Sequence, residues 1–94
     1  MVTNIIKMPK RFDYSASSKF NTAIGAALGE DASDPKIQLD CIHMDYIDSA
    51  GIGLLVMAHK KAVSKGANIE IFHAKPSIKE IFLLANLQKL ISIK

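Results

Sequence analysis

Apolar positions along this 94-residue chain recur with two different periods, and the switches between them mark its elements. Asn4 to Met8 (NIIKM) is a short apolar stretch closed by Pro9 and reads as a first strand. From Ser15 to Leu28 the apolar residues Ala16, Phe20, Ala23, Ile24, Ala27 and Leu28 recur at steps of three and four, one face of an amphipathic helix. Asp13 or Ser15 is placed to cap its start and Gly29 to end it. The segment Glu30 to Pro35 is a polar linker. Lys36 to Ile42 (KIQLDCI) then alternates, with Ile37, Leu39 and Cys41 on one side, and predicts a second strand. His43 to Asp48 reads as a connection. Ser49 opens a second helix whose apolar residues Ile52, Leu54, Leu55, Val56, Met57, Ala58, Ala62 and Val63 lie on most faces, which predicts a well-buried helix. Lys65-Gly66 closes it with a cation in the last turn and a glycine beyond. Asn68 to Phe72 (NIEIF) is a third strand. Ser77-Ile78-Lys79-Glu80 has capping-box spacing, ahead of a helix expected to bury Ile78, Ile81, Phe82 and Ala85. Leu90 to Ile93 reads as a short last strand.

The order is therefore βαβαβα with a short C-terminal strand: an α/β fold, one domain over residues 1–94, with a mainly parallel sheet and right-handed crossovers. Functional surfaces of such sheets usually lie beyond the carboxyl ends of the strands. Here that edge holds Pro9 to Asp13, His43 to Ser49, and His73 to Lys75.

Composition narrows the function. With 49% hydrophobic and 22% charged residues, the chain is an ordinary globular protein. No apolar run approaches the roughly 20 residues of a membrane span, and the N-terminus MVTNIIKMPKR does not read as a signal peptide. Cys41 is the only cysteine, which fits a reducing compartment and a cytoplasmic protein. The net charge of +3 raises nucleic acid as a partner. However, the lysines are scattered from Lys7 to Lys94, and the tightest group (His59, Lys60, Lys61, Lys65) reads as a solvated helix face. There is no tryptophan, and the phenylalanines fall at core spacing, so no nucleic-acid surface is expected.

The segment Tyr46-Ile47-Asp48-Ser49-Ala50-Gly51-Ile52-Gly53-Leu54-Leu55 carries the most chemical information. Ser49 sits where a connection turns into a helix, and its hydroxyl can accept from a free first-turn amide. Ala50, Gly51 and Gly53 leave that turn without bulk, so another molecule can approach closely. Two readings stand side by side on local grounds: a helix cap with packing glycines, or an open contact site.

This segment resembles the signature of the STAS domain (sulfate transporter and anti-sigma-factor antagonist), specifically the small stand-alone antagonists. Phe12-Asp13 fits the family's aspartate near the phosphorylation site, Ile37-Gln38-Leu39-Asp40 its central strand, Ile69-Glu70-Ile71 the next, and Ile81-Phe82-Leu83-Leu84-Ala85-Asn86-Leu87 its last helix. The resemblance covers residues 4 to 94. It implies that Ser49, after Asp48, is a phosphoacceptor, and that Asp13, Asp48, Ser49, Ala50, Gly51 and Ile52 meet a partner. The implied partners are an anti-sigma factor or similar GHKL-type serine kinase and a phosphatase acting on phospho-Ser49. ATP belongs to the kinase, and no cofactor is expected of this chain. The family commonly has a further N-terminal strand, for which this chain has no room, and glycine where Lys10 and Asn86 stand. Asn86 tolerates a left-handed backbone. The same fold also serves as a subunit of phospholipid-transport ABC complexes at membranes, which is the alternative.

Other chemistry is weaker. Gly51-Ile52-Gly53 is a fragment of a dinucleotide fingerprint, and Ser49 is not in a G-x-S-x-G elbow. His43, His59 and His73 lack metal-ligand spacing. Cys41 reads as a small buried thiol, and Met57 as core filling, although Met44 and Met57 would also suit an adaptable interface. Asp13 and Asp48 as acid and base imply no substrate pocket. The expectation is a binding protein, not an enzyme.

Overall fold

The computed structural model describes residues 4–29 and 36–94, so the linker predicted at Glu30 to Pro35 lies outside the described residues. Strands β1 (Asn4–Lys7), β3 (Lys36–Asp40), β5 (Asn68–Phe72) and β6 (Ser92–Ile93) form one parallel sheet in the order β1-β3-β5-β6. Ile6 pairs with Leu39, and Leu39 with Ile71. The alternation predicted for β3 is observed: Ile37, Leu39 and Cys41 are buried, as are Ile69 and Ile71 of β5. They form one core with Phe20, Ile24 and Leu28 from the first helix, Leu55, Ala58 and Ala62 from the second, and Ile78 and Phe82 from the third. Because side chains alternate across a strand, the helices share one face of the sheet. The other face carries Ile5, Lys7, Gln38, Asp40 and Glu70, none fully buried.

Between β1 and β3 come β2 (Arg11–Phe12) and helix α1 (Ser17–Ala27), and between β3 and β5 come β4 (Tyr46–Ile47) and α2 (Ser49–Ser64). The third helix, α3 (Pro76–Leu84), precedes β6. β2 and β4 pair in parallel as a second, two-stranded sheet that the periodicity did not predict. Two residues are too few to display an alternation.

Several boundaries differ from expectation for local reasons. The α1 pattern begins with a 3₁₀ turn over Tyr14–Ala16, capped by Asp13, whose side chain accepts from the Ser15 amide. The capping box at Ser77 does not form: Lys75, extended, precedes the helix, and Pro76 occupies its first turn. Proline suits that position because its missing N–H would have had no partner. Helix α3 buries Ile78 and Phe82, while Ile81 and Ala85 are exposed. Helix α2 is more one-sided than its apolar residues on most faces suggested, burying Gly51, Leu55, Ala58 and Ala62 and packing Ile52, Leu54 and Val56 partly against the core. Met57, expected in the core, is 60% exposed, and Val63 54%. Its C-terminus is as expected, with Lys65 as cap and Gly66 at a φ of 74°. Asn86 adopts the left-handed conformation at a φ of 59°.

Candidate functional site

The two-stranded sheet positions the candidate site. Arg11 lies opposite Tyr46 and Phe12 opposite Ile47. Phe12 and Ile47 turn into the core. By the two-residue period of extended chain, Arg11 and Asp13 fall on the outward face, together with Tyr46 and Asp48. The Arg11 guanidinium lies over the Tyr46 ring, its central carbon 4.0 Å from the ring centroid. Its Nε donates to Asp13 Oδ2 at 2.8 Å. The other Asp13 oxygen accepts from the Ser15 amide at 2.9 Å and from the Ser15 hydroxyl. The bond from the Ser15 hydroxyl, then that from Arg11, holds the Asp13 carboxyl below its usual range. Pairing with Asp13 in turn holds Arg11 more firmly protonated.

Asp48, not Ser49, caps α2. Its backbone is extended, and its carboxylate accepts from the Gly51 amide at 3.0 Å. Carboxylate and hydroxyl satisfy a first-turn amide equally well, so local sequence could not choose between adjacent Asp and Ser. The consequence is chemical. Ser49 becomes the first helical residue, exposed, and its hydroxyl makes no hydrogen bond among the described residues.

Gly51 also differs from expectation. It is buried, and a Cβ there would lie 2.4 Å from the Phe12 carbonyl oxygen and 2.7 Å from Ile47 Cγ1. The missing bulk is used by the domain itself, which seats the first turn of α2 on β2 and β4, and it is not open to a second molecule. Gly53 is the reverse: a Cβ there meets nothing within 4 Å. Asp13, Asp48, Ala50 and Ile52 are half-buried. Ile52 packs partly against the core. The fold thus gathers Asp13, Asp48 and Ser49 at one end of the molecule and withdraws Gly51 from the surface.

Arg11 and Tyr46 are site residues that the sequence reading did not single out. Their signal is the paired spacing, Arg-x-Asp in one segment and Tyr-x-Asp in the other, which puts four side chains on one face once the two strands pair. Lys10 is engaged nearby, with Nζ 3.7 Å from Asp45 and its carbonyl accepting from the Asp45 and Tyr46 amides. The histidine nearest other chemistry, His73, lies elsewhere: its Nδ1 is 3.1 Å from Asp40 Oδ1 on the open face of the main sheet. Burial pushes the Cys41 thiol up to about 12.

A model of the STAS domain matches residues 3–94, nearly the whole chain. The chain belongs to the STAS domain family. A STAS-domain-containing protein of Pseudomonas aeruginosa is 24% identical over 88 residues, covering 94% of this chain and 84% of that one. Among solved structures, an anti-sigma-factor antagonist (STAS) domain protein from Planctomyces limnophilus superposes with a TM-score of 0.76 at 18% identity, covering 96% of this chain and 79% of that one. The anti-sigma factor antagonist SpoIIAA in its unphosphorylated form gives 0.72 at 18%, covering 100% and 83%. The phosphorylated form of SpoIIAA, a Bacillus cell-fate determinant, gives 0.70 at 16%, covering 98% and 82%. At these identities the superpositions establish a shared STAS fold. No described helix of this STAS domain is long and apolar enough to cross a membrane.

Proposed function

We propose that this STAS domain is a partner-switching regulator, binding an anti-sigma factor or similar GHKL-type serine kinase when Ser49 is unmodified and releasing it when Ser49 is phosphorylated. A phosphatase resets the switch, and the chain itself catalyses nothing. The observation that carries the reading is the division of labour at the start of α2. Asp48 supplies the cap, so the fold does not need the Ser49 hydroxyl, which stands exposed beside Asp13 and Asp48. The likeness to an antagonist solved in unphosphorylated and phosphorylated forms supports the same reading.

A phosphate adds roughly −1.5 to −2 charges. At a helix N-terminus an anion is favoured by about 0.3–1 kcal/mol, so the free domain stays folded. The cost falls on the complex, where the anion must be desolvated; about 3 kcal/mol there weakens binding more than a hundredfold. The experiment captures the partner from native cells, identifies it by mass, and compares its affinity for phosphorylated and unphosphorylated domain. Ser49→Ala should bind and resist phosphorylation, and Ser49→Asp should bind poorly, both melting close to wild type. Mass spectrometry of the native protein should place phosphate on Ser49 and not on Ser15, Ser17, Ser18 or Ser77. Equal affinities, with a membrane ATPase as the captured partner, would favour a transport-complex subunit.

A further inference from the structure

We propose that Arg11 receives the phosphate placed on Ser49, exchanging its bond to Asp13 for one to the phosphoryl oxygens, so that modification changes two charges on the partner-facing surface at once. This rests on the phosphoacceptor reading of Ser49 and says how that site would respond once modified.

Three observations support it. The first is placement. Arg11 sits opposite Tyr46, three residues before Ser49. The carbonyl of the next residue, Phe12, lies directly under Gly51 in the first turn of α2. The second is spare capacity. A guanidinium has five N–H donors in a rigid fork. Among the described residues, hydrogen bonding takes only the Nε–H, and the side chain is 64% exposed. The guanidinium rests over the Tyr46 ring, its central carbon 4.0 Å from the centroid, and its remaining N–H groups suit the two-point contact that phosphate favours.

The third observation is that the exchange leaves nothing stranded. Asp13 keeps the Ser15 amide and hydroxyl as donors when Arg11 departs. A doubly charged phosphate attracts the fork more strongly than a singly charged carboxylate. The partner would then meet a neutralised Arg11 and an Asp13 relieved of its ion pair.

The test needs no kinase. Phosphoserine is incorporated at position 49 during translation, and the phosphate is titrated by ³¹P NMR in wild type, Arg11→Gln and Arg11→Lys. Phosphoserine loses its second proton near pH 6, and an adjacent cation favours the dianion. The wild-type phosphate should therefore titrate about one pH unit lower than in Arg11→Gln, with Arg11→Lys between them. The Arg11 Nε–H resonance should also move between the unmodified and modified wild-type proteins. Identical titration in wild type and Arg11→Gln, both shown folded by cooperative melts, would overturn the assignment. That result would leave the switch itself standing, since the switch is judged by partner affinity and not by where the phosphate rests.

Discussion

Gly51 and Gly53 lie two residues apart in the same helix, and replacing each by alanine should move stability in opposite directions. In a helix interior, alanine is favoured over glycine by about 0.8–1 kcal/mol. At Gly53 nothing opposes that gain, because the added methyl meets nothing within 4 Å. Gly53→Ala should therefore stabilise the domain by about 0.5–1 kcal/mol. At Gly51 the same methyl arrives 2.4 Å from the Phe12 carbonyl oxygen, 2.7 Å from Ile47 Cγ1 and 3.1 Å from Phe12 Cδ2. The nearest obstacle is backbone and cannot rotate away, so α2 must lift from the two-stranded sheet. Overpacking of this kind costs about 1–3 kcal/mol and at times more; with a carbonyl in the way, the upper end applies even after the propensity gain. The two variants should differ by about 3.5–4 kcal/mol. With a urea slope of about 1 kcal/mol per molar, their midpoints should separate by about 3.5–4 M, or about 14–32 °C in Tm for a domain of this size. Urea and thermal melts followed by circular dichroism read both. Stabilisation by both substitutions would mean that α2 is not seated on Phe12, and the placement of Ser49 beside Asp13 would fall with it.

Three further outcomes follow from the packing and titration. Phe82, completely buried, should cost about 3–5 kcal/mol when replaced by alanine; a loss below about 1 kcal/mol in urea melts would misplace α3. The Cys41 thiol, buried and pushed up to about 12, should be inert to a thiol reagent at pH 8 in the native protein and react at once in denaturant; fast native labelling would contradict its burial. Asp40 is held below its ordinary range: burial raises it, but the bonds from His73 and the Ile42 amide outweigh that. A carboxyl depressed in the folded state adds stability that is present above its unfolded pKa and lost as pH falls through the folded one. Stability should thus decline below about pH 4, more steeply in wild type than in Asp40→Asn, and parallel pH profiles would remove Asp40 from the account.

The main sheet was visible in the sequence because its strands have a hydrophobic face to declare. Ile37, Leu39 and Cys41 alternate with polar residues over enough length for the period to show, and so do Ile69 and Ile71. The amphipathic face of α1 was visible for the same reason. Errors gathered where physical alternatives are degenerate in sequence. A residue such as Met57 or Val63 satisfies both a buried and an exposed reading of an apolar helix. Only its angular position relative to Leu55, Ala58 and Ala62, which are buried, settles the matter. At α3, a serine with a glutamate three residues later has the form of a cap, but Pro76, one residue earlier, already fits the first turn, and the helix starts there.

The candidate site shows the same degeneracy with more at stake. Asp48 and Ser49 are both good caps, and one residue of register decides which is consumed by the fold and which is left free. A capping serine would have its oxygen committed to a backbone amide, and modification there would compete with helix formation. With Asp48 as cap, modification of Ser49 and integrity of α2 are independent. A phosphorylation switch requires that independence if the released form is to remain a folded protein that a phosphatase can restore. The residues that build this arrangement are Phe12 and Ile47, which anchor the two-stranded sheet, and Gly51, which lets α2 settle on it. Arg11 and Tyr46 occupy the outward face of the same short strands. Their contact follows from strand pairing between segments that are far apart in sequence, so neither segment announces it alone and only the matched spacing of the two does. Geometry therefore adds to the sequence a cation placed among the carboxylates beside Ser49, where charge on the serine would be felt first.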